Sequence, residues 1–224
     1  FFFAGLDDTL SHLRVCDPRE FKGAATLDLV RNCLSTDPLA RAVGLGALNA
    51  LSQHLLRISG FKLDRASDPL GHLDLPSARH VGMVGFFAPL IKVWAGNPVT
   101  LTIIEKDPQF LGQSIPFPVT TQTDRLRDCD RVLITGSTLI NDTLDDVLSH
   151  CDPAAQVALV GPSASCLPDP IFERGVEVVG STTVSDLPHL ITLLEAGEPW
   201  RMGTTKYCIT RDQYPGIRKL IPSP

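Results

Sequence analysis

The stretch from Arg131 to Leu148, RVLITGSTLINDTLDDVL, restricts the fold more than any other part of the chain. Val132, Leu133 and Ile134 run together without a polar break and end at Thr135, the pattern of a strand buried on both faces. Gly136-Ser137-Thr138 is a small polar turn. Leu139, Ile140, Leu144, Val147 and Leu148 then fall at helical spacing, so the spacing predicts one helix starting at Thr138. A doubly buried strand followed at once by an amphipathic helix belongs to a parallel sheet with helices on its faces. It places the turn at the carboxyl end of the strand, where open α/β sheets hold their ligands and where a helix start offers free N–H groups.

The same alternation of strand and helix runs on both sides of this stretch. Strands are predicted over 80–86, 99–104, 119–121, 156–160 and 176–179, and helical segments over 87–95, 123–129, 171–174 and 186–195. The first strand carries Gly82 and Gly85 in GMVG, and the second ends in Glu105, about twenty positions on. That is the outline of a dinucleotide fingerprint. The GxGxxG run itself is missing, and bulky Phe86 and Phe87 stand where a phosphate needs room, so a nicotinamide-dependent oxidoreductase is disfavoured. Four strand ends carry small or hydroxylated residues: Gly82 to Gly85, Thr135 to Thr138, Gly161-Pro162-Ser163, and Gly180 to Thr183. Together they predict a rim of backbone N–H groups and hydroxyls suited to an oxygen-rich anion.

Other chemistries find less support. Ser137 and Ser163 lie outside a GxSxG elbow, and no histidine falls in a triad order. Asp145 and Asp146 are adjacent on a helix and do not share a face. His150 and Cys151 are the candidate metal ligands, but the paired short spacings of a tetrahedral site are absent. A histidine after a helix end is also favourable for the dipole alone.

Before residue 76 the pattern changes. Residues 1–16 suggest a hairpin and 26–34 a short helix. Residues 38–58 form the strongest helix, with Asp37 as cap and Pro38 at the first helical position. Its expected apolar stripe is Leu39, Val43, Leu48, Leu51, Leu55 and Ile58. Gly44 and Gly46 inside it point to a close backbone neighbour. Asn49 has two readings, a locally bonded amide or an amide facing a cleft. Polar residues and Asp-Pro, Leu-Gly and Pro signals gather over 62–78, so the boundary is placed near Pro76. The expected organisation is a small α+β domain over 1–75 and an α/β domain over 76–224.

Composition narrows the partners. The chain has 224 residues, 43% of them hydrophobic, which suffices for a sizeable core. A formal net charge of −5 with no basic cluster argues against nucleic acid. The apolar runs are too short for a membrane helix, and Phe1-Phe2-Phe3 lacks the features of a signal peptide. Six cysteines without CxxC fit reduced thiols and a cytoplasmic location. The absence of an initiator Met suggests that the natural start lies further upstream. The sequence leaves open whether the chain forms a homo-oligomer.

Five segments in this order carry a family resemblance: VGLGALNAL (from Val43), VGMVGFFAPLI (from Val81), IIEKDP (from Ile103), LITGSTLINDTL (from Leu133) and LVGPSASCLPDPIFERGV (from Leu159). They resemble the heavy-metal chelation family, formerly a family of unknown function. The resemblance implies an enolase N-terminal-like part followed by a Rossmann-like domain. It does not imply enolase activity, whose acid, base and metal ligands belong to a barrel this chain lacks. By position it points to Asn49, Gly82, Gly85, Phe86, Glu105, Thr135, Gly136, Ser137, Thr138, Asn141, Gly161, Pro162 and Ser163. The expected function is binding of a divalent heavy metal, free or as a chelate, or of a small anionic molecule, in a cleft between the two parts. The alternative is an enzyme on an anionic small molecule in cofactor or metallophore metabolism, with Glu105 as acid/base and Thr135 to Thr138 as the anion cradle.

Overall fold

The structure is a computed structural model that describes residues 16–221, except 97 and 113. The hairpin expected over 1–16 therefore lies outside the described residues, apart from its last position. Seven strands form one sheet: β1 (Val81–Val84), β2 (Leu101–Ile104), β3 (Val119–Thr120), β4 (Arg131–Thr135), β5 (Gln156–Val160), β6 (Val178–Val184) and β7 (Thr204–Thr210). Their order is β3-β2-β1-β4-β5-β6-β7. Neighbours from β3 through β6 are parallel, and β7 closes the sheet antiparallel to β6. The chain winds outward from β1 to β3, then returns to the other side of β1 as β4. The β1/β4 boundary is thus the topological switch point.

Side-chain alternation along the strands builds a core on each face. From β4, Val132 and Ile134 enter one hydrophobic cluster and Leu133 the other. The first cluster also takes Leu56 from the long helix α2 (Pro38–Ile58), while the second takes Ile91 and Trp94 from α4 (Ala88–Trp94). Burial on both faces explains why the strands read as unbroken apolar runs.

Ahead of the sheet lie α1 (Thr26–Arg31), α2 and the short α3 (Pro69–His72). Asp37 caps α2 as expected, its Oδ1 accepting from the Ala40 N–H at 2.6 Å. Gly44 meets the close neighbour its type predicted: a Cβ there would lie 2.4 Å from the Cys33 backbone nitrogen. The predicted leucine stripe is not the buried face. Ile58 is exposed, Leu39, Val43, Leu48, Leu51 and Leu55 are half-buried, and the deeply buried positions are Ala42, Gly44, Leu45, Asn49, Ser52 and Leu56. The reason is what α2 packs on: the 137–140 turn after β4 and the 162–164 turn after β5, which present backbone carbonyls as well as apolar groups. This region is also tied to the sheet. Phe61 and Leu63 pack on the same cluster as β4 to β6, and Asp64 makes an antiparallel bridge to Cys208 of β7.

Two elements differ from the sequence expectation. The single helix starting at Thr138 is two short ones, α5 (Ser137–Ile140) and α6 (Leu144–Ser149). Asp142 breaks it by adopting φ +57°, a left-handed conformation that Asn and Asp tolerate better than other side chains. The Thr143 N–H then returns to the Thr138 carbonyl at 3.0 Å. The second difference is β6, which does not end at Gly180 to Thr183. It runs on to Val184 because β7 supplies hydrogen-bond partners along its whole length. Before β6 comes α7 (Asp169–Glu173), and after it come α8 (Leu187–Glu195) and α9 (Ile217–Leu220).

Candidate functional site

Register puts the site together. Val84 of β1 lies beside Ile104 of β2 and Ile134 of β4, and Thr135 lies beside Val160 of β5. The residues that follow, Gly85, Glu105, Gly136 and Gly161, therefore emerge side by side at one edge of the sheet. They open into a cleft of about 590 Å³ at the switch point. Of the sequence-predicted residues, Gly85, Phe86, Glu105, Thr135, Gly136, Ser137, Thr138, Asn141, Gly161, Pro162 and Ser163 all line it.

Each wall has a local cause. Gly85 has φ +99°, and a Cβ there would sit 3.0 Å from the Thr135 side chain. A side chain would therefore be strained and crowded at once. Gly136 packs backbone to backbone on the next turn, where an added Cβ would lie 2.9 Å from the Ala164 nitrogen. Thr138 Oγ1 donates to the Thr135 carbonyl at 2.7 Å and locks the turn, while Thr135 Oγ1 and Ser137 Oγ lie 3.3 Å apart. Asn141, with its amide nitrogen turned inward, donates to the Ser137 carbonyl at 3.3 Å and the Thr138 carbonyl at 3.2 Å.

Several backbone N–H groups of the expected rim are already engaged. The Gly85 N–H donates to Ile104, Gly136 to Val160 and Gly161 to Gly180, all backbone carbonyls at 2.7 to 2.9 Å. Phe86 N–H donates to Glu105 Oε2 at 2.9 Å, and Asp107 N–H to Glu105 Oε1 at 2.9 Å. Sheet pairing and one carboxylate have already engaged these donors. With α5 only four residues long, little helix dipole reaches the cleft. What lines the cleft beside them is hydroxyls (Thr135, Ser137, Thr143), the Lys106 cation between the Glu105 and Asp107 carboxylates, and aromatic surface.

Two predicted site residues lie elsewhere. Gly82 is buried in the middle of β1, not at its end, and an added Cβ would meet Leu126 at 2.7 Å and the Cys129 sulfur at 3.1 Å. Its role is packing under the 123–128 turn. Asn49 is fully buried and does not line the cleft. Its Nδ2 donates 3.0 Å to the Ser163 carbonyl, so it supports the Gly161–Ser163 wall from behind. Beside it, Gln53 Nε2 reaches the Ser165 carbonyl at 2.9 Å and the buried Tyr207 hydroxyl at 2.8 Å. The fourth rim segment is likewise internal: Ser181 Oγ donates to the Gly161 carbonyl at 2.9 Å from within β6.

The metal candidates are not brought together. His150 and Cys151 follow α6 on the way to the start of β5, at the opposite edge of the sheet from the cleft. His150 Nδ1 lies 2.8 Å from the Asp146 carbonyl and Cys151 Sγ 3.5 Å from the Val147 carbonyl, both one turn back. Burial pushes the Cys151 thiol up to about 11. Among the described residues no three His, Cys, Asp or Glu side chains form a metal-ligand group.

Sequence reasoning missed Phe87, Phe110, Lys106 and Trp200 as lining residues. Phe87 was considered only as an obstacle to phosphate. Phe110 follows a capped Asp107-Pro108 turn directly after β2, a signal that places it at this edge. Trp200 arrives from a distant segment, and nothing local marks it.

The fold is a Rossmann-like open sheet with a cleft at its switch point, the usual place for a ligand in sheets of this kind. A family model described as putative heavy-metal chelation (DUF364) matches residues 68–211, and the chain belongs to that family. An uncharacterised protein of Methanocaldococcus jannaschii is 28% identical over 162 residues, 72% of this chain. The chain spans 61% of that relative's length. Two solved structures of the same family, both of unknown function, share the fold. One, from Pyrococcus horikoshii, has a TM-score of 0.72 and 19% identity over 88% of this chain and 78% of its own. The other, from Desulfitobacterium hafniense, has a TM-score of 0.68 and 22% identity over 86% and 77%.

Proposed function

We propose that this protein binds a small organic ligand, and a metal only as that ligand's complex, in the cleft at the carboxyl ends of β1, β2, β4 and β5. The observation that carries this reading is the cleft itself: about 590 Å³, at the switch point, largely apolar, with a few convergent hydroxyls, one cation and two carboxylates that accept from loop N–H groups. Family membership brings the metal into the proposal. The thiols and imidazole that would hold a bare ion stand at the far edge, engaged with backbone carbonyls. Glu105 has an N–H on each oxygen and serves as a brace between two loops, which favours binding over acid/base catalysis at that position.

Calorimetric titration tests it, using nickel ion alone and nickel complexed by small carboxylate chelators. Saturable binding of a complex is expected, weakened about tenfold or more by the double substitution Thr135→Val with Ser137→Ala, which removes two hydroxyls of similar shape. Tight binding of bare nickel that survives this change and is lost in Cys151→Ala would overturn the reading.

A further inference from the structure

Phe86 and Phe110 come from separate loops, yet their rings stack with centroids 4.5 Å apart and planes 18° from parallel. Phe86 rests on the core cluster beneath β1 and β2, and both rings line the cleft. The stack is fixed by one side chain. Glu105 Oε2 accepts from Phe86 N–H and Oε1 from Asp107 N–H, each at 2.9 Å. Asp107 in turn caps the 3₁₀ turn Pro108–Phe110, its Oδ1 accepting from Gln109 N–H at 3.0 Å. A single carboxylate therefore sets both ring-bearing loops at once. Two aromatic rings in register at the mouth of a cleft are more than a hydrophobic wall needs. They make a flat surface whose quadrupole favours a further ring in offset stacking, above all an electron-poor one. Lys106 also lines the cleft and supplies a positive charge for a ligand carboxylate, while the flanking Glu105 and Asp107 carboxylates accept from the Phe86, Asp107 and Gln109 N–H groups.

We infer that the ligand is a planar, conjugated carboxylate chelator that extends the Phe86–Phe110 stack, with Glu105 as the positioning residue that assembles this platform. The inference rests on the cleft reading above and narrows it to a chemical class. Because the platform is preassembled, a rigid flat ligand loses little freedom on docking, whereas a flexible chelator with the same donor atoms must be ordered.

Two probes with one donor set separate these cases. Pyridine-2,6-dicarboxylate and iminodiacetate both offer a nitrogen flanked by two carboxylates, but only the first is a flat aromatic. Titration of the intact protein with each, as the nickel complex and metal-free, is expected to show preference for the pyridine compound by about tenfold or more. Phe110→Leu, which keeps an apolar side chain of similar bulk, should bring the ratio close to one, and Phe110→Tyr should keep it. Glu105→Gln presents an amide where a loop N–H needs an acceptor, and should lower the ratio. Near-ultraviolet circular dichroism of each variant establishes that it is folded. Equal affinity for the two probes overturns the platform and leaves the cleft reading standing, as does a preference indifferent to both Phe110→Leu and Glu105→Gln. Binding of neither probe overturns both.

Discussion

Asp130 shows how much one side chain organises at the edge of the sheet opposite the cleft. Its carboxylate accepts from the Arg79 N–H at 3.1 Å and the His80 N–H at 2.9 Å, just before β1, while its own residue precedes β4. Burial alone would raise its pKa, but the His80 and Arg79 backbone donors and the Arg79 side chain outweigh that and hold it below the usual carboxylate value. A carboxylate with a lowered folded pKa contributes stability that is fully present above its unfolded value of about 3.9 and is lost as pH falls through the folded one. Urea titrations of Asp130→Asn against the parent protein should show a constant deficit near neutrality. The two curves should converge below about pH 4. A deficit that persists unchanged at low pH would mean that Asn accepts these bonds poorly for geometric reasons and that charge is not involved. At the same scale, Asn49 illustrates why the sequence left two readings open. A buried amide bonded to a carbonyl 114 positions away is neither local nor in the cleft, and only the tertiary neighbour decides it.

Among the elements, α2 teaches the limits of periodicity. Its ends were legible because caps are local: Asp37, Pro38 and the chain length between them suffice. Its buried face was not, because the partner surface includes a turn carbonyl, that of Ser163, which selects Asn49 over leucine. Gly44 carries the same lesson in reverse, since a glycine inside a strong helix announced a close neighbour without naming Cys33. Gly44→Ala should cost about 2–3 kcal/mol in chemical denaturation, because the obstacle is backbone and cannot swing aside. A loss below about 1 kcal/mol, the range of helix propensity alone, would show that α1 yields readily. The strands were read well because burial on both faces leaves unbroken apolar runs. The break at Asp142 and the extension of β6 were not, since one depends on a single left-handed residue and the other on a partner strand whose residues lie 20 or more positions later. The cleft walls followed from strand ends, but their chemistry did not. Which N–H groups remain free depends on sheet register, which no single strand encodes.

For the whole molecule, thiol chemistry offers a measure of cooperativity. Cys129, Cys166 and Cys208 are buried in different parts of the sheet's surroundings, and burial pushes each thiol up to about 12. Labelling by a disulfide reagent at pH 8 should therefore be slow in the native protein at these three and fast once it unfolds. If the sheet and the region before it open as one unit, all three should label at a common rate that tracks global stability. Earlier labelling of Cys208 alone would reveal that β7 detaches first.

The two borders of the sheet bear on how the protein behaves when crowded. On one side β3 is two residues long and follows Pro118, too short a template for another chain. On the other, β7 is bridged by Asp64 at Cys208, and its remaining length exposes Lys206. Brevity, proline, a crossing segment and a lysine are the devices by which sheets resist growing edge to edge. Concentrated solutions of this protein should accordingly resist fibril formation for as long as the Asp64 segment stays on β7, which makes that single bridge a guard on solubility as well as a contact within the fold.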